Sequence, residues 1–221
     1  MGLDPAIWTG VPRPGRLVLE GRYARLEPLD LRRHADDLYA LTQEPGAERR
    51  HRYLFDSLPA NREVFDLWLA ARAASEDPLF FVVIDRAGGR VEGRQALMRI
   101  DTLHGVIEIG NILWGPGMAR TRIATEALYL SARYVFEELG YRRLEWKCDD
   151  LNEPSKRAAD RFGFIFEGVF RQHMVVKGQN RDTAWFAMID SDWPRLKAGY
   201  EAWLRPENFD AAGRQKRRLH F

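Results

Sequence analysis

The residues best suited to chemistry lie in one stretch, 108–128, EIGNILWGPGMARTRIATEAL. A strand-like block, 108–114, runs into a loop carrying Gly115, Pro116 and Gly117. A helix pattern starts near Ile123, with Ala124, Ala127, Leu128 and Leu130 as its apolar residues. Strand, glycine-bearing loop and helix start gather backbone N–H groups at the positive end of a helix, a geometry that binds phosphate. Arg120 and Arg122 add two positive charges beside it. The Gly-Lys-Ser/Thr ending that holds a nucleotide and its magnesium ion is absent, so the loop is not a P-loop. A phosphate-bearing ligand of another kind is expected.

The elements that must position this loop alternate between sheet and helix. Strands are expected at 17–20 and 23–29, broken at Gly21, and a helix at 31–43 with Asp30 as N-cap. The charged segment 44–59 reads as loop or short helices, and 62–74 as a second helix ending before Asp77-Pro78. The dense apolar run LFFVVID, 79–85, reads as a central strand. Turns at Gly88-Gly89 and His104-Gly105 lead to strands at 91–101 and 106–114. After a helix at 123–139, stopped by Gly140 at C′, come a strand at 142–148, a helix at 153–161 and a strand at 164–176. A turn at 177–180, a last strand at 182–189, a helix at 193–204 and a basic tail complete the chain. The expected layout is an extended arm, 1–16, a domain at 17–190, and a C-terminal helix and tail at 191–221.

Composition narrows the class. With 221 residues, 45% of them hydrophobic, the chain can bury a sizeable core without splitting. Its 34 basic and 32 acidic residues nearly cancel, which leaves no global field for nucleic acid or membrane. One cysteine, Cys148, excludes an internal disulfide framework. His34, His51 and His104 lack metal-ligand spacing, so no metal is expected. No apolar run approaches the ~18 residues of a membrane span, and the first fifteen residues lack a signal-peptide core. A cytoplasmic protein is the economical expectation.

In this order, the elements and four sequence pieces resemble the GNAT acyl-CoA-dependent N-acetyltransferases, most closely their RimJ/RimL-like branch. The pieces are EIGNILW, ARTRIATEA, CDDLNEPSKRAADRFGF and EGVFRQHMVVKGQNRDTAWFAMI, spread across about 16–190. The second matches the family's pyrophosphate loop, with Ala119 at its first polar position, Arg122 at a glycine position and Ala124 fitting. The third carries the branch's Asn-x-x-Ser and Gly-Phe signature as Asn152, Ser155, Gly163 and Phe164. The resemblance implies a mixed α+β fold: a twisted, mostly antiparallel sheet of about seven strands flanked by helices. Its fourth and fifth strands, here 106–114 and 142–148, splay apart.

It also implies acetyl-CoA as donor and a primary amine as acceptor. The pyrophosphate would lie on Ala119, Arg120, Thr121, Arg122, Ile123, Ala124 and Thr125. The pantetheine arm would lie along Ile112, Leu113 and Trp114, with Asn152 as a further contact. Direct attack needs a proton acceptor, an oxyanion donor and help for the departing thiolate. By resemblance a backbone N–H near Leu113 serves the oxyanion. Ser155 stands in for the tyrosine that many relatives place at the position of Ala159, and hydrogen-bonds the sulfur. Glu108, beside the expected thioester, is the first choice of base; Asp149, Glu145 and His173 are the reserves.

Each of these residues also has a purely structural explanation. Glu108 can be a solvated strand residue, Ser155 a helix-start hydroxyl, Asn152 an N-cap, and His173 a packed or surface side chain. Glu126 is expected to serve the helix dipole. The basic tail, Arg214 to Arg218, reads as a solvated end rather than a nucleic-acid surface. The 193–204 helix offers either a homodimer face or a core contact. A CoA-binding protein without turnover is the competing functional class.

Overall fold

The computed structural model describes residues 5–119 and 121–221; the expectations for residues 1–4 of the arm and for Arg120 lie outside the described residues. The strands are β1 (Leu19–Glu20), β2 (Ala24–Pro28), β3 (Leu79–Asp85), β4 (Val91–Asp101), β5 (Val106–Trp114), β6 (Arg143–Asp149), β7 (Ile165–Val176) and β8 (Gln179–Ile189). The helices are α1 (Leu31–Gln43), α2 (Ala47–His51), α3 (Arg62–Ala74), α4 (Arg122–Arg133), α5 (Glu153–Arg161) and α6 (Trp193–Trp203). Among the described residues they form one eight-stranded sheet, ordered β1-β2-β3-β4-β5-β6-β8-β7, where the resemblance implied about seven. Gly21 separates β1 from β2, the break read from the sequence. β5 and β6 are parallel. No described helix is long and apolar enough to cross a membrane.

Two compact units divide the chain, one of Pro14–Met98 with Gly110–Leu130, the other of Met1–Arg13, Arg99–Ile109 and Ser131–Phe221. In the first, local capping fixes the helices. Asp30 accepts from the Arg33 amide at 2.9 Å to start α1, and Asn61 accepts from Val64 at 2.9 Å to start α3. Leu38 and Leu41 of α1 and Phe65 and Leu69 of α3 then bury against Phe80 and Val82 of β3. The first five residues of β3 are all buried, as an apolar run without alternation requires of a strand covered on both faces.

Glu126 of α4 does something the dipole reading missed. Its buried carboxylate accepts hydrogen bonds from the Arg22, Tyr23 and Ala24 amides. It therefore satisfies the turn that breaks β1 from β2, using charge-assisted bonds. A Cβ on Gly21 would sit 2.5 Å from that carboxylate, so the turn needs glycine for space.

In the second unit, β6 pairs antiparallel with β8 from Arg143↔Ile189 to Asp149↔Thr183, and β8 pairs with β7. The hairpin turn is tighter than expected. Lys177 and Gly178, at φ 51° and 74°, supply the two left-handed residues of a short loop, so β8 begins at Gln179. The helix after the loop also ends differently: Tyr134–Glu138 is a π turn before Gly140.

α6 buries Trp193, Leu196, Tyr200 and Trp203 within its own unit, which settles its role as core packing. Arg214 to Arg218 of the tail are exposed, as expected, but its end is seated. Phe221 packs on Tyr200 at 5.0 Å between ring centres, and Lys216 donates its amide to the Asn208 carbonyl. A Cβ on Gly199 would lie 2.6 Å from the Phe221 ring, so the helix surface is shaped for it.

Candidate active site

The first unit holds the end of β5, the loop and the start of α4. Gly115 donates its amide to the Glu92 carbonyl, and Pro116–Met118 form a single 3-10 turn. The Thr121 amide bonds back to Met118, so it is spent inside the loop rather than offered to a phosphate. The amides of Ile123 and Ala124 fall in the first turn of α4, where no carbonyl four residues back belongs to the helix. Thr125, by contrast, donates to Thr121 through both amide and hydroxyl.

Beside that helix start lies an open cavity of about 380 Å³, lined by Arg22, Arg86, Arg122 and Asp85 among others. The Arg122 guanidinium stacks on Tyr23 at 4.3 Å. Arg86 donates to the Gly21 carbonyl. Arg22 and Arg86 were not visible as candidates because they lie far from the loop in sequence. Their only advance signal was position: both sit at turns flanking strands that pair, since Ala24 is opposite Asp85.

Ile112, Leu113 and Trp114 follow a strained residue. Asn111 adopts φ 50°, a left-handed conformation that asparagine tolerates better than most residues. Its carbonyl is gripped at 2.8 Å by Arg94, whose other arm meets Asp56 at 2.7 Å. Arg94 also stacks over Trp68 at 4.5 Å. Burial pulls its guanidinium below the ordinary arginine value, opposed by the Asp56 charge. Leu113 is buried, while Trp114 donates its indole to Gln95 at 3.3 Å.

The second unit holds Glu108, Ser155 and Asn152. Glu108 is not a solvated strand residue. It is buried, and its Oε2 receives Arg99 Nη1 at 2.6 Å and Lys147 Nζ at 3.1 Å. Register explains the crowding: Glu108 stands opposite Glu145 on parallel strands. Lys147 separates the two acids, reaching Glu145 at 2.6 Å while its ammonium lies 3.9 Å from the centre of the Trp185 ring. The parallel ladder then stops. β5 runs on through 109–114 with no rung to β6 among the described residues.

Ser155 Oγ accepts from the Trp146 indole at 2.9 Å. Burial pushes the neighbouring Cys148 thiol up, opposed by a hydrogen bond from Ser155. A thiol raised in this way is a poor nucleophile. Asn152 Oδ1 accepts from the Ser155 amide at 3.3 Å, the expected N-cap.

His173 is exposed on β7, with Nδ1 2.9 Å from Thr183 Oγ1. Desolvation lowers its pKa from 6.5, assisted by Arg181, Arg99 and Lys147 and opposed by Glu108. Arg181 Nε also donates to Thr183 Oγ1, at 3.2 Å. Glu108, His173 and four of their cationic or hydroxyl neighbours therefore belong to one charged cluster. Arg99 and Lys147 escaped the sequence reading, although a lysine two places beyond Glu145 had to share its face.

Residues 24–165, more than half of the chain, match the family model for an acetyltransferase (GNAT) domain. A solved GCN5-related N-acetyltransferase from Brucella melitensis is 59% identical, covers 97% of each chain and superposes with a TM-score of 0.95. An uncharacterised N-acetyltransferase, p20, of Bacillus licheniformis is 29% identical over 51% of this chain. YdaF of Bacillus subtilis, named as a ribosomal N-acetyltransferase, is 28% identical over 48% of this chain. The matches span 63% and 57% of those two relatives, less than two thirds of their length. With a domain model over most of its sheet and a close structural relative along nearly its whole length, the chain belongs to the GNAT acetyltransferase family.

Proposed function

We propose that this chain transfers the acetyl group of acetyl-CoA to a primary amine by direct attack in a ternary complex, as a RimJ/RimL-like member of its family. The observation that carries this reading is the interrupted ladder: β5 loses β6 after Glu108↔Glu145 and continues for the rest of its length. Strand backbone at Ile112, Leu113 and Trp114, beyond the last rung to β6, suits an arm built of amides. The α4 start and the arginine-lined cavity suit its phosphates. Acetyl-CoA supplies an activated acyl group; this chain's residues bind it, polarise it and manage the protons.

Leu113 is the assigned oxyanion donor through its backbone N–H. Ser155 hydrogen-bonds the sulfur, and Asn152 holds the arm with the amide nitrogen its cap leaves over. Glu108 is the assigned base. A second reading rests on its two ion pairs, both of which a proton on the carboxylate would weaken. His173, exposed and favoured in its neutral form, is then the better acceptor. The acceptor is a small metabolite, an amino acid or a protein N-terminus; the ribosomal name of YdaF favours the last.

The reading includes a cytoplasmic setting, no metal, no nucleic acid or membrane partner, and a homodimer. α6 is spent on its own core, so β7 supplies the dimer face, with Ile165, Phe166 and Phe170 exposed by 56, 54 and 53%. Sedimentation of Ile165→Glu tests this; an unchanged mass would remove β7 from the interface.

Titration calorimetry with acetyl-CoA, dephospho-CoA and acetyl-pantetheine tests the donor. Affinity is expected to fall as phosphates are removed, and Arg86→Glu to weaken acetyl-CoA more than acetyl-pantetheine. Absence of acetyl-CoA binding would sink the proposal. Binding without amine-dependent CoA release would favour the CoA-binding protein that has lost turnover.

A further inference from the structure

A second cavity, of about 220 Å³, opens in the first unit among α1, α3, the 56–59 segment and β5. Its walls include Leu38, Leu58, Phe65, Trp68 and Leu113, three of which are buried. Protein cores close such gaps when nothing is meant to fill them. The volume falls below the ~300–1,000 Å³ of a complete small-molecule site, so it suits part of a molecule.

We propose that this cavity receives the apolar substituent of the acceptor, and that the acceptor is a primary amine bearing a group of leucine-to-phenylalanine size close to its nitrogen. This rests on the acetyl-transfer reading. Leu113 makes the link, since it lines the cavity and its backbone N–H is the assigned oxyanion donor. A substituent seated against Leu113 leaves its amine a few bonds away, beside the acyl group.

The cavity's charges decide the class. Arg94 and Asp56 both line it, but they neutralise each other at 2.7 Å. Arg94 is also committed to the Asn111 carbonyl and to the Trp68 ring. A second cation entering would meet a buried guanidinium whose counter-ion is already taken. Long cationic amines, such as polyamines or a lysine side chain, are therefore excluded from it. Trp68 adds one directional feature. Its indole N–H is buried with no hydrogen-bond partner among the described residues, and an oxygen on the ligand would satisfy it. An apolar amino-acid derivative offers amine, apolar side chain and carbonyl oxygen together.

The experiment has two arms. In the first, CoA release is followed with glycinamide, leucinamide, phenylalaninamide and putrescine. The expected kcat/KM for leucinamide exceeds that for glycinamide by at least ~100-fold, since a single buried methylene already contributes ~10–200-fold. Leu58→Trp, which fills the cavity from its half-exposed rim, should cut that ratio at least ~10-fold on the same basis. In the second, calorimetry measures N-acetyl-leucinamide and N-acetyl-glycinamide with CoA present, in both proteins; retained acetyl-CoA binding shows that the variant is folded. Preference for the leucine product, lost in Leu58→Trp, supports the subsite even if no amine is turned over, in which case the transfer reading fails alone. Equal binding of the two products, or a preference untouched by Leu58→Trp, overturns the subsite and leaves acetyl transfer standing.

Discussion

The molecule buries charge twice on its two longest central strands, with opposite results. Arg94 on β4 is 2% exposed and its partner Asp56 15%. It contacts Asp56, the Asn111 carbonyl and an aromatic face. Glu108 on β5 is as deeply buried, but its partner Arg99 is 39% exposed, and an exposed imidazole stands close enough to feel the same charges. The first cluster is buried except where it faces the small apolar cavity, its charges are balanced in place, and it holds a strained strand. The second touches solvent on one side, so protons can enter and leave. Burial alone makes scaffolding; burial with one wet edge makes a group that can do proton chemistry.

The largest effect should come from breaking the buried Arg94 cluster. Arg94→Met strands the Asp56 carboxylate and frees the Asn111 carbonyl, for an expected loss of about 3–5 kcal/mol. Urea denaturation measures it. A loss below ~1 kcal/mol, the scale of a surface pair, would mean that the pair does not act as a buried one. Glu108→Gln should cost less, about 1–3 kcal/mol, because Lys147 keeps Glu145 at 2.6 Å and Arg99 reaches water. If the glutamine variant were the less stable of the two, the contrast between the clusters would be reversed. Its turnover then sorts the roles: an assigned base should take most of kcat with it, a charge that only holds Lys147 and Arg99 in place should not.

What the sequence made legible was local. α1 and α3 appear at the expected residues because Asp30 and Asn61 cap them within three residues. β5 appears as 106–114 because its apolar pattern and bounding turns are contiguous. The site's electrostatics were not legible, because each pair joins distant positions: Arg94 with Asp56, Lys147 with Glu108, Arg22 and Arg86 beside Arg122. Glu126 shows the same limit. Its type and place suggested a dipole partner, while the fold gave it amides about a hundred residues away. In the tail, Arg214 to Arg218 are exposed as their charge suggested, while the seating of Phe221 on Tyr200 was not legible, because that contact again joins distant positions.

The smallest expected effect is the sharpest test of the wet cluster. His173 has its pKa lowered by desolvation first and then by Arg181, Arg99 and Lys147, with Glu108 opposing. A depressed histidine is protonated more readily in the unfolded chain than in the native one. Its linkage to folding is therefore neutral above the unfolded value near 6.5 and turns destabilising as pH falls through that value toward the native one. The imidazole is exposed, so this stability term should be slight. The signature belongs in the rate instead. If His173 takes the amine's proton, kcat/KM rises with pH along an acid limb whose midpoint lies below 6.5. His173→Gln should then flatten that limb while acetyl-CoA binding stays intact. A limb that survives in His173→Gln but vanishes in Glu108→Gln would return the proton to the carboxylate.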